Sequence, residues 1–532
     1  MKFVLKFVFR LLYIALTVSA MFSLTVKGQT IVKVTLPEKM VLIDPMIYGQ
    51  MLENVNDSMI YGGLTDLKGN ERIQVTNLLK PLNIAVMRWP GGTVVHEYHW
   101  KQGIGPINKR RTMETFAWNG EENYRFGTDE FLQWCKKIGT EPYVNFNMGN
   151  HPDFKGTLQE AMDWIEYVNG ETETDYGRLR ALNGQQKPYG VKFWGIGNEN
   201  YESWGKHIKE SGSEYAGRLF EWASAIKKKY PDLKLMGVGH NYNWDKDVLE
   251  KCAKIIDFLT QHYYVVSKIN DDRLENAANS LFAPLKMEAH IKMLSGLLQE
   301  ANKRVGRTNN PIRLSIDEWN NRHSVNKDSK FNFSRHDPRR QFDVTIAAGM
   351  LNTFIRMSPT VGMANYIFPV NAHGLIRTVG NDDAYLTALY PVFSQYRQWM
   401  VGSKLDVNVK GDGVMLSKIK PSIEGDSDEA SLGGEKVPYI DASAVIGIGD
   451  LITVALVNRN DKSAEKVTLN VPKNYVAKRK WVLEHQDINT ANSAENRNEI
   501  APKEQVLEKG KHTLEIKISA CGLQLIQFER NK

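Results

Sequence analysis

Apolar runs of strand length alternate with helix-like segments over residues 45–395 of the chain. Most of these runs are continuously apolar, which is typical of parallel strands that are covered on both faces. They predict eight strands, at 45–53, 83–90, 141–149, 191–199, 233–240, 256–264, 312–320 and 362–369. Helical patterns lie between them, for example at 128–138, 214–230 and 342–356. Eight β–α alternations predict a (β/α)8 TIM barrel, of the α/β class, over residues 45–398.

The hydrophobic pattern changes after about residue 400. Short apolar segments separated by turn residues replace the long helical patterns, so residues 399–532 are predicted to form a C-terminal antiparallel β-sandwich. Residues 29–44 also have a strand-like pattern, and we expect them to join this sandwich. The acidic segment 421–438, which is rich in Gly and Ser, is predicted to be a mobile loop.

The first 28 residues have the pattern of a secretory signal peptide. Basic residues precede an uncharged apolar run from Leu11 to Leu24, which ends before Lys27 and Gly28. The run is too short to span a bilayer comfortably, and no cysteine directly follows it to carry a lipid anchor. We therefore expect cleavage after Gly28 and a secreted or periplasmic protein with no membrane segment.

Charge and motif content exclude several classes of function. The predicted signal holds four basic residues and no acids, so its removal lowers the formal net charge from +7 to +3. A charge this small and scattered does not indicate a nucleic-acid or membrane partner. The three cysteines are too few for a disulfide framework. No His-x-x-x-His spacing occurs, and Gly195-x-Gly197 lacks the third glycine of a dinucleotide site, so no metal and no cofactor are predicted.

Two apolar runs lead into a glutamate, Glu199 at the end of the fourth predicted strand and Glu318 near the end of the seventh. A buried, unpaired carboxylate is costly, and the active site of a TIM barrel lies at the C-terminal ends of its strands. We expect the two glutamates to meet there as a catalytic pair, as in a glycoside hydrolase. Further polar or aromatic residues lie at predicted strand ends, and these are candidates for substrate contact: Glu53, Asn147, Asn198, His262, Tyr264 and Trp319.

Five short motifs follow one another along the chain. They are Ile47-Tyr-Gly-Gln-Met-Leu-Glu53, Met87-Arg-Trp-Pro-Gly-Gly92, Gly197-Asn-Glu199, Asp317-Glu-Trp-Asn320 and Asp441-Ala-Ser-Ala444. As an ordered set they resemble glycoside hydrolase family 51, the α-L-arabinofuranosidases of the retaining (β/α)8-barrel clan. The resemblance covers nearly the whole chain after the predicted signal, whereas an isolated Asn-Glu pair would carry little weight.

The resemblance implies that Glu199 is the general acid/base and that Glu318 is the nucleophile. Five residues match family positions that contact or border the sugar or the nucleophile: Glu53, Trp118, Asn198, His262 and Tyr264. The implied activity is that of an exo-acting α-L-arabinofuranosidase. Its expected partner is a plant cell-wall polysaccharide or an oligosaccharide that carries arabinofuranosyl groups.

Two departures from the family leave the substrate open. Thr93 stands where family members often have an asparagine that touches the sugar, and Leu386 and Thr387 stand near the position of a glutamine. Thr93 is therefore predicted to contact the substrate at an altered site. The alternatives are a retaining hydrolase of another furanoside, a β-glucanase, and a non-catalytic glycan-binding barrel. The segment 322–340 is predicted to form either a wall of the aglycone side or a solvated loop, and the sequence does not decide whether the chain forms a homo-oligomer.

Overall fold

The computed structural model describes residues 29–55, 58–324, 335–421, 423–425, 430–508 and 510–531. The predicted signal peptide, residues 1–28, lies outside these ranges. Among the described residues, no helix combines the length and the apolar content that a bilayer crossing requires.

Eight parallel strands close into a barrel. In chain order they are β1 to β8, at Gly49–Met51, Val86–Trp89, Glu141–Phe146, Phe193–Ile196, Lys234–Gly237, Phe258–Asn270, Arg313–Ser324 and Val361–Tyr366. Each strand pairs in parallel with the next, and β8 pairs with β1, so the ring is closed. The structure therefore confirms the predicted TIM barrel.

Helices follow the barrel strands along the chain. They lie at Ile73–Leu79, Thr128–Ile138, Leu158–Asn169, Asp175–Leu182, Gly212–Lys229, Tyr242–Cys252, Ala277–Leu281, Pro284–Arg304, Gln341–Arg356 and Tyr390–Trp399. The second of these shows how local sequence sets their bounds. Asp129 and Glu130 in its first turn complement the positive end of the helix dipole, and Gly139 ends the helix in the left-handed region at φ 77°.

Several strand bounds differ from the predicted ones. β6 and β7 continue to Asn270 and Ser324, well past their predicted ends, and pair with each other along this extension. The extension persists because its polar side chains satisfy one another; Ser267 Oγ, for example, donates to Asn321 Oδ1 at 2.8 Å. By contrast, β4 ends before it reaches Glu199, and a 3-10 helix at Pro45–Tyr48 replaces the start of the first predicted strand.

Two sheets form the β-sandwich. Its seven-stranded sheet has the order Val41–Leu42, Ser403–Lys404, Ile440–Gly447, Leu451–Asn458, Leu523–Arg530, Tyr475–Leu483, Lys503–Val506. The four-stranded sheet has the order Asp406–Lys410, Thr30–Thr35, Glu465–Asn470, Thr513–Ile518. Buried and exposed residues alternate along Thr30–Thr35, so Val32 and Val34 join the apolar core between the sheets. This strand pairs in parallel with Glu465–Asn470, and the other pairings in the two sheets are antiparallel.

A buried polar seam joins the sandwich to the barrel helix Gln341–Arg356. Asn352 Nδ2 donates to Asp441 Oδ2 at 2.7 Å, and Arg356 lies 3.0 Å from the other oxygen of the same carboxylate. The hydroxyl of Ser443 donates to Asn352 Oδ1. Because these polar groups satisfy one another, the seam favours one orientation of the sandwich on the barrel.

The segment 421–438 contains ordered strands, so the prediction of a mobile loop is wrong for them. Ile423–Gly425 pairs antiparallel with β6, with Glu424 opposite Tyr264, and Lys436–Pro438 pairs with Gly413–Met415. The extension of β6 explains this difference, because Tyr263–Val265 of that strand offer backbone groups to which the short strand binds. The C-terminal part of the chain thereby reaches the end of the barrel.

Candidate active site

A cavity of about 500 Å³ lies at the C-terminal ends of the barrel strands. Most of the predicted site residues line it: Glu53, Thr93, Trp118, Glu199, Tyr264 and Glu318. Asn198 and His262 are buried next to them, where Asn198 contacts Arg88 and His262 contacts Glu199. The sequence therefore located the cavity through residues from several different strands.

Arg88, on β2, holds the nucleophile candidate in place. A β-bulge in β7 pairs Ile316 with Gln261 and Glu318 with His262, so Asp317 is the additional residue. Arg88 Nη1 donates to Glu318 Oε1 at 2.8 Å, and its Nε lies 3.3 Å from Asp317 Oδ2. Two consecutive carboxylates thus share one guanidinium.

The same guanidinium also orients Asn198. Arg88 Nη2 donates to Asn198 Oδ1 at 2.6 Å. Burial disfavours the charged guanidinium, but Asp317 and Glu318 outweigh it and raise the pKa of Arg88 above its ordinary value. The planar fork of an arginine presents a different nitrogen to each of the three acceptors, whereas a lysine offers its donors from a single nitrogen.

Glu318 is held as a carboxylate. Burial alone would raise its pKa, but the charges of His262 and Arg88 and the hydrogen bond from Tyr264 lower the pKa of Glu318 below its usual value. Tyr264 donates its hydroxyl to Glu318 Oε2. Burial, and then the charge of Glu318, raise the pKa of Tyr264 well above its ordinary value, so this group remains a donor. An ionised, oriented carboxylate is suited to nucleophilic attack.

His262 lies between the two glutamates. Its Nδ1 is 2.7 Å from Glu199 Oε1 and 3.8 Å from Glu318 Oε2. Burial works against the charged imidazole, but the two carboxylates outweigh it and raise the pKa of His262 to about 9. The ring is therefore protonated at neutral pH and can share a proton with Glu199.

The three side chains form a compact cluster. One carboxylate oxygen of Glu199, one of Glu318 and a ring nitrogen of His262 lie within 4.8 Å of one another. Such a cluster could ligate a cation, but a protonated Nδ1 offers no lone pair to a metal. The spacing is closer to the roughly 5–5.5 Å between carboxyl groups of retaining glycosidases than to the larger separation of inverting ones.

Glu53 follows β1 and is buried at the cavity wall. Its Oε1 accepts from Trp118 Nε1 at 3.0 Å and from the Val94 backbone N–H at 3.2 Å. Burial and the nearby charge of Glu318 raise the pKa of Glu53 to about 7. Near neutral pH this carboxyl group can therefore donate as well as accept hydrogen bonds.

The double glycine after β2 makes room for both glutamates. A Cβ at Gly91 would lie 2.3 Å from Cγ of Glu53, and one at Gly92 would lie 2.5 Å from Oε1 of Glu318. Gly91 also has φ 140°, which favours glycine. A side chain at either position would displace a carboxylate from the cavity.

Asn198 retains an amide donor for a ligand. Its Nδ2 has no hydrogen-bond partner within the described ranges, although the residue is only 2% exposed. A buried donor without a partner is costly, and a sugar hydroxyl could satisfy it. Thr93 lines the same cavity. A threonine at this position, instead of the asparagine expected from the family resemblance, therefore changes the wall that a sugar would touch.

Two predicted contact residues lie elsewhere, so the prediction that they touch the substrate is corrected. Asn147 uses its amide within a loop, since it donates to the backbone carbonyls of Tyr98 and Phe154 and accepts from Gly149. Trp319 is fully buried and stacks on Phe393 with ring centroids 5.6 Å apart. The next residue of a strand points to the opposite face, so a tryptophan directly after Glu318 turns away from the cavity.

Leu386 and Thr387 also lie away from the catalytic cavity. They line a separate pocket of about 220 Å³ together with Trp481. The hydroxyl of Thr387 donates to the backbone carbonyl of Gly374 at 3.0 Å, which is a structural role. Of the two departures, Thr93 is therefore the one that alters the cavity.

Sequence reasoning missed a wall of aromatic and polar residues near Glu199. Tyr201 donates its hydroxyl to Glu199 Oε1 at 3.4 Å, and its ring stacks on His240 at 3.7 Å. Trp204 also lines the cavity and is 40% exposed. His240 ends the fifth predicted strand, so its position was a usable signal, whereas Tyr201 and Trp204 lie in a loop without periodicity.

Arg322 and Arg335, from segment 322–340, line the cavity beside Tyr264 and Trp118, and Glu424 lies next to Arg322. Arg322 lies 3.3 Å from the centroid of the Tyr264 ring and 3.5 Å from a carboxylate oxygen of Glu424. Arg335 lies 4.7 Å from the centroid of the Trp118 ring. The cavity wall thus includes a residue of the C-terminal part, which the sequence pattern gave no reason to expect. The remaining lining residues are Ala117, Glu202, Ile367, Phe368 and His373.

Comparisons with known proteins agree along most of the chain. Residues 78–279 match the family description "Alpha-L-arabinofuranosidase 1 domain", and residues 317–521 match "Alpha-L-arabinofuranosidase C-terminal domain". The probable alpha-L-arabinofuranosidase C of Aspergillus clavatus is 33% identical over 451 residues, which cover 80% of this chain and 83% of the relative. The intracellular exo-alpha-L-arabinofuranosidase of Bacteroides ovatus is 27% identical over 96% of this chain and 98% of its own length.

Solved structures agree with the sequence relatives. The alpha-L-arabinofuranosidase of Thermotoga maritima, in a complex with arabinose, superposes with a TM-score of 0.78 at 29% identity and covers 94% of this chain and 99% of its own. The GH51 arabinofuranosidase of Xanthomonas axonopodis pv. citri has a TM-score of 0.82 at 22% identity over 94% of this chain and all of its own, which shows a shared fold.

Proposed function

The chain belongs to glycoside hydrolase family 51, the α-L-arabinofuranosidases, and on this premise we propose that it releases single arabinofuranosyl groups from plant cell-wall glycans with retention of configuration. Glu318 is the proposed nucleophile and Glu199 the proposed acid/base. The observation that carries the proposal is the cluster of Glu199, Glu318 and His262 within 4.8 Å. That spacing suits direct attack by a carboxylate better than attack by an intervening water.

In the first step, an oxygen of Glu318 attacks the anomeric carbon. The bond from that carbon to the glycosidic oxygen breaks, and the leaving oxygen takes a proton from Glu199. Arg88 and Tyr264 support this step, because they hold Glu318 ionised and oriented before the substrate arrives. The products are the aglycone alcohol and a glycosyl ester of Glu318.

In the second step, Glu199 accepts a proton from water, and the resulting hydroxide oxygen attacks the same carbon. The ester bond breaks, and Glu318 is released as a carboxylate. Two displacements restore the original configuration. The negative charge of Glu318 is absent while the ester exists, which changes the electrostatic environment of His262 and Glu53 between the steps.

The cavity walls support recognition of a sugar. Glu53, Asn198 and Trp118 offer polar groups and a ring edge close to Glu318. Tyr201, Trp204 and His240 lie on the Glu199 side, where the leaving group must receive its proton. We assign this aromatic side to the aglycone, because aromatic faces bind the apolar faces of sugar rings.

A panel of aryl glycosides tests the substrate class. We expect turnover of the α-L-arabinofuranoside to exceed that of the β-D-galactofuranoside, β-D-xyloside and β-D-glucoside. A preference for the galactofuranoside or the glucoside would instead support another furanosidase or a β-glucanase. Binding without turnover of any glycoside would support a glycan-binding barrel and contradict the proposal.

Glu318→Ala tests the mechanism. It should abolish turnover of every substrate, because no covalent ester can form. Added azide should then restore part of the activity and give a glycosyl azide of inverted configuration, which NMR identifies. Near-normal activity of the variant without azide would contradict the assignment of Glu318 as nucleophile. Glu114→Ala, at an exposed position, serves as the control.

We also propose that the chain is exported, because of its signal-like first 28 residues. The Bacteroides ovatus relative is described as intracellular, so this point needs its own test. N-terminal sequencing of the protein from fractionated native cells should give a start near Gln29 in a fraction outside the cytoplasm. An uncleaved cytoplasmic protein would contradict export and leave the catalytic proposal intact.

A further inference from the structure

The backbone at Glu199 has an unusual conformation. Its φ is 44°, in the left-handed region that a residue with a side chain rarely adopts. The residue lies outside β4, so the strand ladder does not hold it there. Such a conformation persists only where the surroundings fix it, and it is often found at functional sites. The contacts of the residues on either side show what fixes it.

Two histidine rings bind the backbone carbonyls that flank Glu199. His96 Nε2 donates to the carbonyl of Asn198 at 2.5 Å, and His207 Nε2 donates to the carbonyl of Asn200 at 3.2 Å. The two rings stack on each other, with centroids 4.0 Å apart and planes 11° from parallel. The rings and their hydrogen bonds thus form one unit that spans the peptide groups before and after the acid/base candidate.

The pair is buried and neutral. His96 is 2% exposed and His207 is 3% exposed. Burial, and then the neighbouring ring, lower the pKa of His96 well below its ordinary value, and burial lowers the pKa of His207. Since both Nε2 atoms face carbonyls, the protons lie on these nitrogens, and the Nδ1 atoms have no hydrogen-bond partner within the described part of the chain.

Neighbouring side chains reinforce this arrangement. Asn200 Oδ1 accepts from the Asn198 backbone N–H at 3.1 Å, and Asn200 Nδ2 donates to Glu210 Oε2 at 2.9 Å. Glu210 in turn forms an ion pair with Arg218 at 2.6 Å. The loop that carries Glu199 is therefore held by side chains from the segment after β2, from its own C-terminal end and from the following helix.

We propose that His96 and His207 act together as a positioning pair that fixes the Glu199 carboxyl group for proton transfer. The inference rests on the proposed role of Glu199 as acid/base. Neither ring lines the cavity, so neither is assigned contact with substrate. Loss of the His96 donor leaves the buried Asn198 carbonyl without its partner. The Asn200 carbonyl also accepts from the Glu210 backbone N–H at 2.9 Å, so loss of the His207 donor removes the second of its two hydrogen bonds. Either loss loosens the hold on the Glu199 peptide and lets it rotate away from the left-handed conformation.

The positioning role predicts a specific kinetic signature. Acid catalysis matters most when the leaving group is a poor one, such as the sugar alcohol of an arabino-oligosaccharide. It matters least for an activated dinitrophenyl arabinofuranoside. The parameter kcat/KM reports events up to and including the first displacement, so the ratio of kcat/KM between the two substrates isolates the proton transfer.

His→Phe variants at both positions remove the N–H donor and keep an aromatic ring. Because acid catalysis contributes about 100-fold or more, we expect kcat/KM on the oligosaccharide to fall by at least about tenfold in His96→Phe. The fall in His207→Phe should be selective for the same substrate but smaller, because the Asn200 carbonyl keeps the Glu210 N–H. On the dinitrophenyl substrate the loss should stay below about threefold. His96→Gln and His207→Gln retain an N–H at a comparable distance and should recover most of the loss.

Two references separate the outcomes. Glu199→Ala sets the scale: if it loses activity equally on both substrates, the proposed role of Glu199 fails, and the inference fails with it. If Glu199→Ala shows the selective loss but His96→Phe and His207→Phe lose both activities equally or neither, only the positioning pair is overturned. If the Phe variants do not fold, the Gln variants give the test, because they keep the N–H donor. A selective loss in them as large as that of Glu199→Ala would also overturn the positioning pair.

A matched control is available in the same segment. His99 is partly buried and pairs with Glu160 at 3.0 Å, away from the Glu199 loop. His99→Phe should leave the ratio of the two kcat/KM values unchanged. A change as large as that of His96→Phe would show a general effect of disturbing this segment and would contradict the specific role of the stacked pair.

Discussion

The Nδ1 atom of His262 lies 2.7 Å from Oε1 of Glu199, which places one proton between an imidazole and the carboxyl group that has to protonate the leaving oxygen. The pKa of His262 is raised to about 9 despite burial, because two carboxylates favour its charged form. Below that pH the His262–Glu199 pair therefore holds the proton that the first displacement consumes.

His262→Gln tests whether His262 shares the catalytic proton, through the pH dependence of kcat/KM. In the wild type we expect activity to fall on the alkaline side near pH 9, where the pair loses its proton. In His262→Gln the alkaline fall near pH 9 should disappear, because the imidazolium whose deprotonation causes it is absent. An unchanged alkaline limb in the variant would show that His262 does not share the catalytic proton.

The same raised pKa predicts a stability change with pH. An imidazole with a folded pKa of about 9 and an unfolded pKa of about 6.5 stabilises the native state fully below about pH 6.5. This contribution is lost as the pH rises to about 9. The midpoint of thermal unfolding should therefore decline more steeply from pH 6.5 to 9 in the wild type than in His262→Gln, as differential scanning fluorimetry can measure.

Arg88→Lys should reduce activity far more than it reduces folding. A lysine keeps the positive charge, but its donors all sit on one nitrogen and cannot reproduce the three guanidinium nitrogens that face Glu318, Asp317 and Asn198. We expect kcat to fall by about 100-fold, as when a preorganised donor is lost from an active site. Arg88→Ala, which leaves buried carboxylates uncompensated, should lower the free energy of unfolding by about 3–5 kcal/mol. The exposed Arg178→Lys is the control, and wild-type kcat in Arg88→Lys would contradict the role of the guanidinium fork.

Glu53→Gln should change how stability depends on acid pH. Burial and the charge of Glu318 raise the pKa of Glu53 to about 7, above its unfolded value, so the folded protein binds more protons than the unfolded chain between about pH 4.5 and 7. The contribution of this group to the free energy of unfolding therefore falls by about 3 kcal/mol as the pH rises through that window. Urea unfolding at several pH values should show a smaller fall in the glutamine variant. An identical pH dependence of the two proteins would refute the raised pKa.

Much of the barrel could be predicted because its strands are short apolar runs between amphipathic helices. The site at the strand ends followed from general barrel architecture, and the resemblance to a family supplied the roles of Glu199 and Glu318. Periodicity did not show that β6 and β7 continue past Tyr264 and Asn320, since residues 321–324 of β7 are all polar and the extension is stabilised by cross-strand pairs. Glu424 could not be predicted for the same reason, because the strand that carries it depends on the extended β6.

Side-chain direction accounts for the errors within the site. Asn147 follows a barrel strand, as Asn198 does, but the adjacent loop uses its amide. Trp319 is adjacent to Glu318 and faces the opposite side of β7. The stacked pair of His96 and His207 joins two loops that are distant in sequence, and no local pattern in either loop reveals the other.

Thr93→Asn tests the altered sugar site. Thr93 lines the cavity where an asparagine could make an additional hydrogen bond to a sugar hydroxyl. One such bond contributes on the order of 0.5–1.5 kcal/mol, so kcat/KM on a simple aryl α-L-arabinofuranoside should rise about three- to tenfold. The wild type should prefer a branched or substituted oligosaccharide that fills the additional space. Thr93→Val, which has nearly the same size, is the control. A loss of activity in Thr93→Asn would refute an altered specificity at this position.

The most direct test of the mechanism is to trap the intermediate on Glu318. In Glu199→Ala, an activated dinitrophenyl α-L-arabinofuranoside should complete the first displacement without acid catalysis, whereas the second displacement lacks its base. Intact-mass spectrometry after rapid quenching should then show one added anhydropentosyl group, and peptide mapping should locate it on Glu318. An adduct on Glu53 or on another residue, or a burst of dinitrophenol with no covalent adduct, would contradict the two-glutamate mechanism.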